Sequence, residues 1–126
     1  MKKLLLGCIF AACVCTGLFA GSADDAQFKQ YVEATKNHKT NPEGMTVVAD
    51  PTYRVIYVTL PLALHKSDAT PEVVKAMREA MIKEMSENSS NAADKRIIKT
   101  LKISIVYSFI TIDKNIVTIS LSYQDF

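Results

Sequence analysis

Past residue 15 this chain of 126 residues contains no cysteine, because Cys8, Cys13 and Cys15 all lie in its first segment. The remainder has no disulfide to hold it, and it offers neither a thiolate nucleophile nor a cysteine metal ligand. Histidine is nearly missing too. His38 and His65 are the only side chains that titrate near neutrality without tuning, and both fall in stretches that read as connections, with no paired carboxylate or nucleophile beside them. An excess of charge is also lacking: 15 basic residues face 13 acidic ones, and without Lys2 and Lys3 the balance is 13 to 13. This excludes the basic field that nucleic acid or anionic lipid demands. Lys95, Arg96, Lys99 and Lys102 form only a local cluster, read as the solvated face of a helix. No internal repeat, low-complexity tract or catalytic motif is found, so a single domain with no catalytic, cofactor or metal residues is expected.

What the chain does have begins with MKKLLLGCIFAACVCTGLFAGSA, where Lys2 and Lys3 precede an almost uninterrupted apolar run from Leu4 to Ala20. That is the pattern of an export signal. The small residues Ala20, Gly21, Ser22 and Ala23 place cleavage after Ser22 or Ala23, and Asp24-Asp25 supplies the first charges beyond it. Two other fates stay open. The run comes close to the length of a bilayer anchor, and Leu5-Leu6-Gly7-Cys8 reads like the box before a lipidated cysteine, although only seven residues precede Cys8. A single domain over 24–126 that is periplasmic or secreted is the expectation. About 100 residues suffice for one apolar core.

Along that domain the apolar period changes from helical to strand-like. Phe28, Tyr31, Val32 and Thr35 stand at i, i+3, i+4 and i+7, which makes Asp25 to Lys36 a short amphipathic helix. Asn37 to Gly44 has linker composition, with Pro42 and Gly44 as breakers. Met45 to Ala49 and Tyr53 to Leu60 are strand-like, and Asp50-Pro51-Thr52 between them is turn chemistry. Pro61 ends that ladder by removing a donor. The main helix is Pro71 to Glu87, with Thr70 as N-cap and Pro71 at the first position, where a missing N–H costs nothing. Its stripe is Val74, Met77, Met81 and Met85, widened by Val73 and Ala80. Thioethers at this spacing read two ways, as core filler or as an adaptable surface for partners.

Asn88 to Asn91 interrupts the helix, Ser89 and Ser90 are read as caps of the next, and Ala92 to Thr100 forms a short helix carrying Ile97 and Ile98. The period then becomes two: Ile103, Ile105, Tyr107 and Phe109 alternate with Ser104, Val106, Ser108 and Ile110, and beyond Asp113-Lys114-Asn115 the strand of Val117, Ile119, Leu121 and Tyr123 alternates with hydroxyl residues. The order predicts an α+β fold: a four-stranded, mainly antiparallel sheet of two hairpins, with one main amphipathic helix on one face and a short N-terminal helix. One face of the sheet is left uncovered.

The half of the chain from Thr70 to Phe126 resembles the type II secretion pilotins of the AspS kind. The resemblance is carried by the helix opened by Thr70-Pro71, the polar break at Glu87 to Asn91, Asp94-Lys95-Arg96-Ile97-Ile98-Lys99 leading into Ile105-Val106-Tyr107-Ser108-Phe109, and the Asp113-Lys114-Asn115 turn. It implies a helix-on-sheet fold and a partner in the cell envelope. The family's lipidated cysteine and its cysteine pair have no counterpart, since Ser89 or Ser90 and Asp125-Phe126 stand in the pair's regions. The expectation is a non-enzymatic, exported binding or assembly factor that grips a peptide or helix of an envelope partner in a groove between the central helix and a sheet edge. Tyr53, Tyr57, Met81 and Met85 are the candidate partner-binding residues, no nucleic acid is bound, and the membrane is touched only by an uncleaved leader. The alternative is a small secreted effector or inhibitor.

Overall fold

A computed structural model describes residues 24–38 and 41–126. The export-signal reading of 1–23, with its three cysteines and cleavage site, lies outside the described residues, as do positions 39 and 40 of the linker.

The first helix, α1 (Asp24–Lys36), buries Phe28, Tyr31, Val32 and Thr35, the four residues picked out by the helical spacing. Asp24 and Asp25 sit in its first turn, where negative charge complements the macrodipole. Thr35 is accommodated inside by donating its hydroxyl to the Tyr31 carbonyl at 2.9 Å. Beyond the helix, the Asn41 amide donates to the Thr35 carbonyl at 2.7 Å and so occupies one of the orphan acceptors of the last turn.

Strands β1 (Thr46–Asp50) and β2 (Val55–Pro61) pair antiparallel, Asp50 opposite Val55. Their turn is longer than the expected three residues. The Asp50 carboxylate accepts from the N–H groups of Thr52 (2.9 Å) and Tyr53 (3.3 Å), and Arg54 is held at φ 55°, so β2 starts at Val55 rather than Tyr53. Arg54 is anchored on both sides: its guanidinium lies 5.6 Å from the Phe28 ring centroid and bonds Asp25 at 2.7 Å.

Helix α2 (Pro71–Glu87) starts as its sequence dictates, with the Thr70 hydroxyl accepting from Val73 N–H and Pro71 in the first turn. Met77, Met81 and Met85 are buried and Val73 and Val74 half-buried, but Ala80 faces solvent, too far round the helix to join the stripe. A short 3-10 turn (Ser89–Asn91) leads into α3 (Ala92–Leu101). The N-cap position of α3 is Asn91, and its own side chain makes no cap bond. The Asn91 amide instead reaches back to the Glu84 carbonyl at 3.1 Å and ties the two helices across the break. Lys102, in the left-handed region at φ 55°, ends α3, and the Ile103 N–H returns to the Ile98 carbonyl at 2.9 Å.

Strands β3 (Ser104–Ile110) and β4 (Ile116–Ser122) form the second hairpin. Its turn is a small polar network: Thr111 hydroxyl to Asp113 at 2.7 Å, and Asn115 N–H to the Thr111 hydroxyl at 2.9 Å. Asp113 also accepts the Lys66 N–H at 2.9 Å from the connection after β2. The Thr111 hydroxyl bond, followed by the Lys66 N–H, lowers the Asp113 carboxyl to about 2.

The sheet runs in the order β1-β2-β3-β4, and the fold is α+β with a mainly antiparallel sheet. The two hairpins are joined by a parallel pairing of β2 with β3, from Val55 opposite Ser104 to Pro61 opposite Ile110. The parallel joint follows from the connection, since α2 and α3 carry the chain back to the starting end of the sheet. One face is the core: Ile56, Val58 and Leu60, then Ile105, Tyr107 and Phe109, then Val117, Ile119 and Leu121 are buried along the three longer strands. Phe28, Met81 and Ile98 bring α1, α2 and α3 into the same cluster, so three helices share a surface expected to be covered mainly by one. Each such side chain contributes roughly 1.5–3 kcal/mol when fully buried.

Candidate functional site

Among the described residues this arrangement leaves two surfaces open, at a sheet edge and on the sheet face opposite the helices. The edge belongs to β4. Arg78 of α2 donates its Nε to the Ser120 carbonyl at 3.3 Å and pairs with Asp125 at 3.0 Å. Asp125 in turn accepts the Ser122 N–H at 2.8 Å, so the C-terminal end of this edge is closed. The bond to Ser120 also shows which way the strand points its polar backbone. In an antiparallel strand the N–H and C=O of one residue share a side and the side alternates, so Thr118, two residues back, presents both groups outward. There they meet a groove lined by Lys66, Thr70, Val74 and Lys75 on one side and by Ile116 and Thr118 on the other. Its floor is apolar through Ala69, Val74 and Val117, its rim carries two lysines, and its wall is a strand edge left unpaired among the described residues.

The uncovered face lies opposite the helices. Its cross-strand rows are Val48–Tyr57–Val106–Ser120 and Thr46–Thr59–Ser108–Thr118. None of these residues is buried.

The four candidate residues are separated by the fold. Tyr53 is 76 % exposed on the β1–β2 turn and Tyr57 is 44 % exposed on the uncovered face, whereas Met81 and Met85 are at 0 % and 1 % in the core. The methionine stripe therefore fills the interior and touches neither surface. His38 follows α1 and is half-buried, and His65 is exposed before the 3-10 turn Lys66–Asp68. Among the described residues no group of three or more His, Cys, Asp or Glu side chains is placed to hold a metal ion, and no helix is long and apolar enough to cross a membrane.

Asp94 escaped the sequence reading. It is 1 % exposed, accepts the Tyr31 hydroxyl at 3.0 Å, and lies near Tyr107. Burial first, and the Asp94 charge second, push the Tyr107 phenol well above its ordinary value. A signal was there: Asp94, Ile98 and Leu101 stand at i, i+4 and i+7, which puts a carboxylate on the apolar stripe of α3. Arg78, outside the apolar stripe of α2, nonetheless lies against β4. No known protein family, curated protein or solved structure matches the chain.

Proposed function

We propose that this chain is an exported, non-enzymatic binding and assembly factor of the bacterial cell envelope, pilotin-like in its role, which grips a segment of an envelope protein in the groove between α2 and β4. The open backbone at Thr118 beside Val74, Lys66 and Lys75 is the observation that carries this reading. A segment entering extended adds a fifth strand to the sheet, so that main-chain hydrogen bonds supply affinity while its side chains alternate between Val74 on the helix side and Ile116 on the open face. Acidic residues in the segment meet the two lysines. Export is supported by the Lys2-Lys3 and Leu4 to Ala20 pattern, and an envelope partner by the resemblance over Thr70 to Phe126.

The test is capture from periplasmic extract with the tagged protein, comparing wild type with Thr118→Pro and with Lys66→Glu/Lys75→Glu. Proline at an outward-facing edge position removes the donor needed by the partner and none that β3 uses. The expected result is one envelope protein retained by wild type and lost from both variants. Equal retention by both folded variants, or a protein found in the cytosol with its leader intact, overturns the proposal. Recovery from culture medium favours the effector or inhibitor instead.

A further inference from the structure

The uncovered sheet face carries almost no charge. Asp, Glu, Lys and Arg make up 22 % of the chain, yet the outward positions of the four strands carry a single charged side chain, Asp50, at one corner. That carboxylate is already engaged by the N–H groups of Thr52 and Tyr53. Among the described residues the exposed large hydrophobics include Val48 at 62 %, Tyr57 at 44 % and Ile116 at 58 %, and all three lie on this face. Val48, Tyr57 and Val106 are neighbours in one row across β1, β2 and β3, so the apolar surface is continuous where the sheet is widest.

We infer that this face is the contact surface of a homodimer, in which two copies stack sheet on sheet about a two-fold axis. A two-fold interface sets one surface against itself, so any net charge on it faces the same charge. This face has almost none to oppose. Its second row, Thr46–Thr59–Ser108–Thr118, is made entirely of hydroxyls, which both donate and accept and so complement an identical row. A charged partner finds nothing complementary here. The size of the face sets how tightly two copies hold. Four strands about 4.8 Å apart and strands of up to seven residues at about 3.3 Å each give a face about 19 Å by 23 Å. Two such outlines amount to about 870 Å² before side-chain relief, at the small end for a specific interface, so association is expected at high micromolar concentration. Stacking at about 10 Å brings the Tyr57 and Val106 side chains of the two copies together near the axis. Thr118 and Ile116 border both surfaces, but Val48 and Tyr57 lie on β1 and β2, away from the α2–β4 groove, so substitutions there test the dimer without touching the proposed peptide site.

The test is light scattering behind size exclusion on the purified protein, with sedimentation to follow the concentration dependence. Wild type is expected to run at twice the chain mass at about 100 µM. Tyr57→Lys and Val48→Lys each place two ammonium groups in the contact, and each is expected to weaken association at least about 100-fold, giving the monomer mass with an unchanged far-ultraviolet circular dichroism spectrum. Both positions are exposed in the single chain, and if one variant fails to fold the other decides. A monomeric wild type at that concentration overturns the inference. So does a folded Tyr57→Lys or Val48→Lys protein that keeps the dimer mass, which locates the contact elsewhere, as in pairing through a strand edge.

Discussion

Replacing Tyr31 by Phe removes one oxygen from the interior and measures how firmly α1 is tied to α3. The Tyr31 ring is 2 % exposed and stays in place as phenylalanine, so the packing of α1 is unchanged while the 3.0 Å bond to Asp94 is lost. A hydrogen bond contributes about 0.5–1.5 kcal/mol net, and a buried acceptor stripped of a donor carries a desolvation penalty of about 1–3 kcal/mol. A loss of about 2 kcal/mol is expected. For a domain of about 100 residues this lowers Tm by roughly 8–16 °C, and with a urea dependence of about 1–3 kcal/mol/M it moves the midpoint down by around 1 M. Urea unfolding followed by circular dichroism measures it, in wild type, Tyr31→Phe, Asp94→Ala and the double variant. In the Asp94→Ala background the tyrosine hydroxyl has lost this acceptor, so Tyr31→Phe should cost much less there, with a coupling energy between about 0.5 and 3 kcal/mol. The same cost in both backgrounds, or a cost under about 0.5 kcal/mol in wild type, refutes the assignment of Asp94 as the group that fastens α1.

Met81→Asp is expected to unfold the domain, because a carboxylate at a fully buried position costs several kcal/mol against a total margin of about 5–15 kcal/mol, whereas exposed Lys83→Asp should stay within about 0.5 kcal/mol of wild type; equal melting of the two would mean the helix faces are misassigned. Tyr107 should resist ionisation in the folded protein: its phenol is raised above 10.0, so the folded state holds a proton that the unfolded state releases, and the stability it contributes is complete below pH 10 and falls as pH climbs toward the folded value. Ultraviolet titration should therefore leave at least one tyrosine, Tyr107, un-ionised until unfolding, and a tyrosinate signal from all tyrosines in a still-folded protein would refute it. Removing both histidines, as His38→Ala with His65→Ala, should leave partner capture intact, since the two stand in separate connections with no base or metal geometry between them; loss of capture at unchanged Tm would return a catalytic or metal role to consideration.

The elements were legible because burial imposes a period that composition reveals. Phe28, Tyr31, Val32 and Thr35 mark α1, and Ile105, Tyr107 and Phe109 mark the inner side of β3, by spacing alone. The turns were less legible, because their lengths are set by side-chain bonds such as Asp50 to Tyr53 N–H and by left-handed residues such as Arg54, which carry no periodic signal. The parallel meeting of β2 and β3 was beyond local pattern, since it depends on where two helices return the chain. The open sheet face was readable as alternating Ser and Thr, but its near lack of charge emerges only when four strands from both ends of the domain are laid side by side. Met81 and Met85 show the opposite limit. The same stripe serves a core or a docking surface, and only the position of the helix over β4 and its neighbours decides that they belong inside. A surface for partners must therefore be sought where apolar residues stay outside after every helix has found its place, which in this fold means the row through Val48 and Tyr57 and the edge at Thr118.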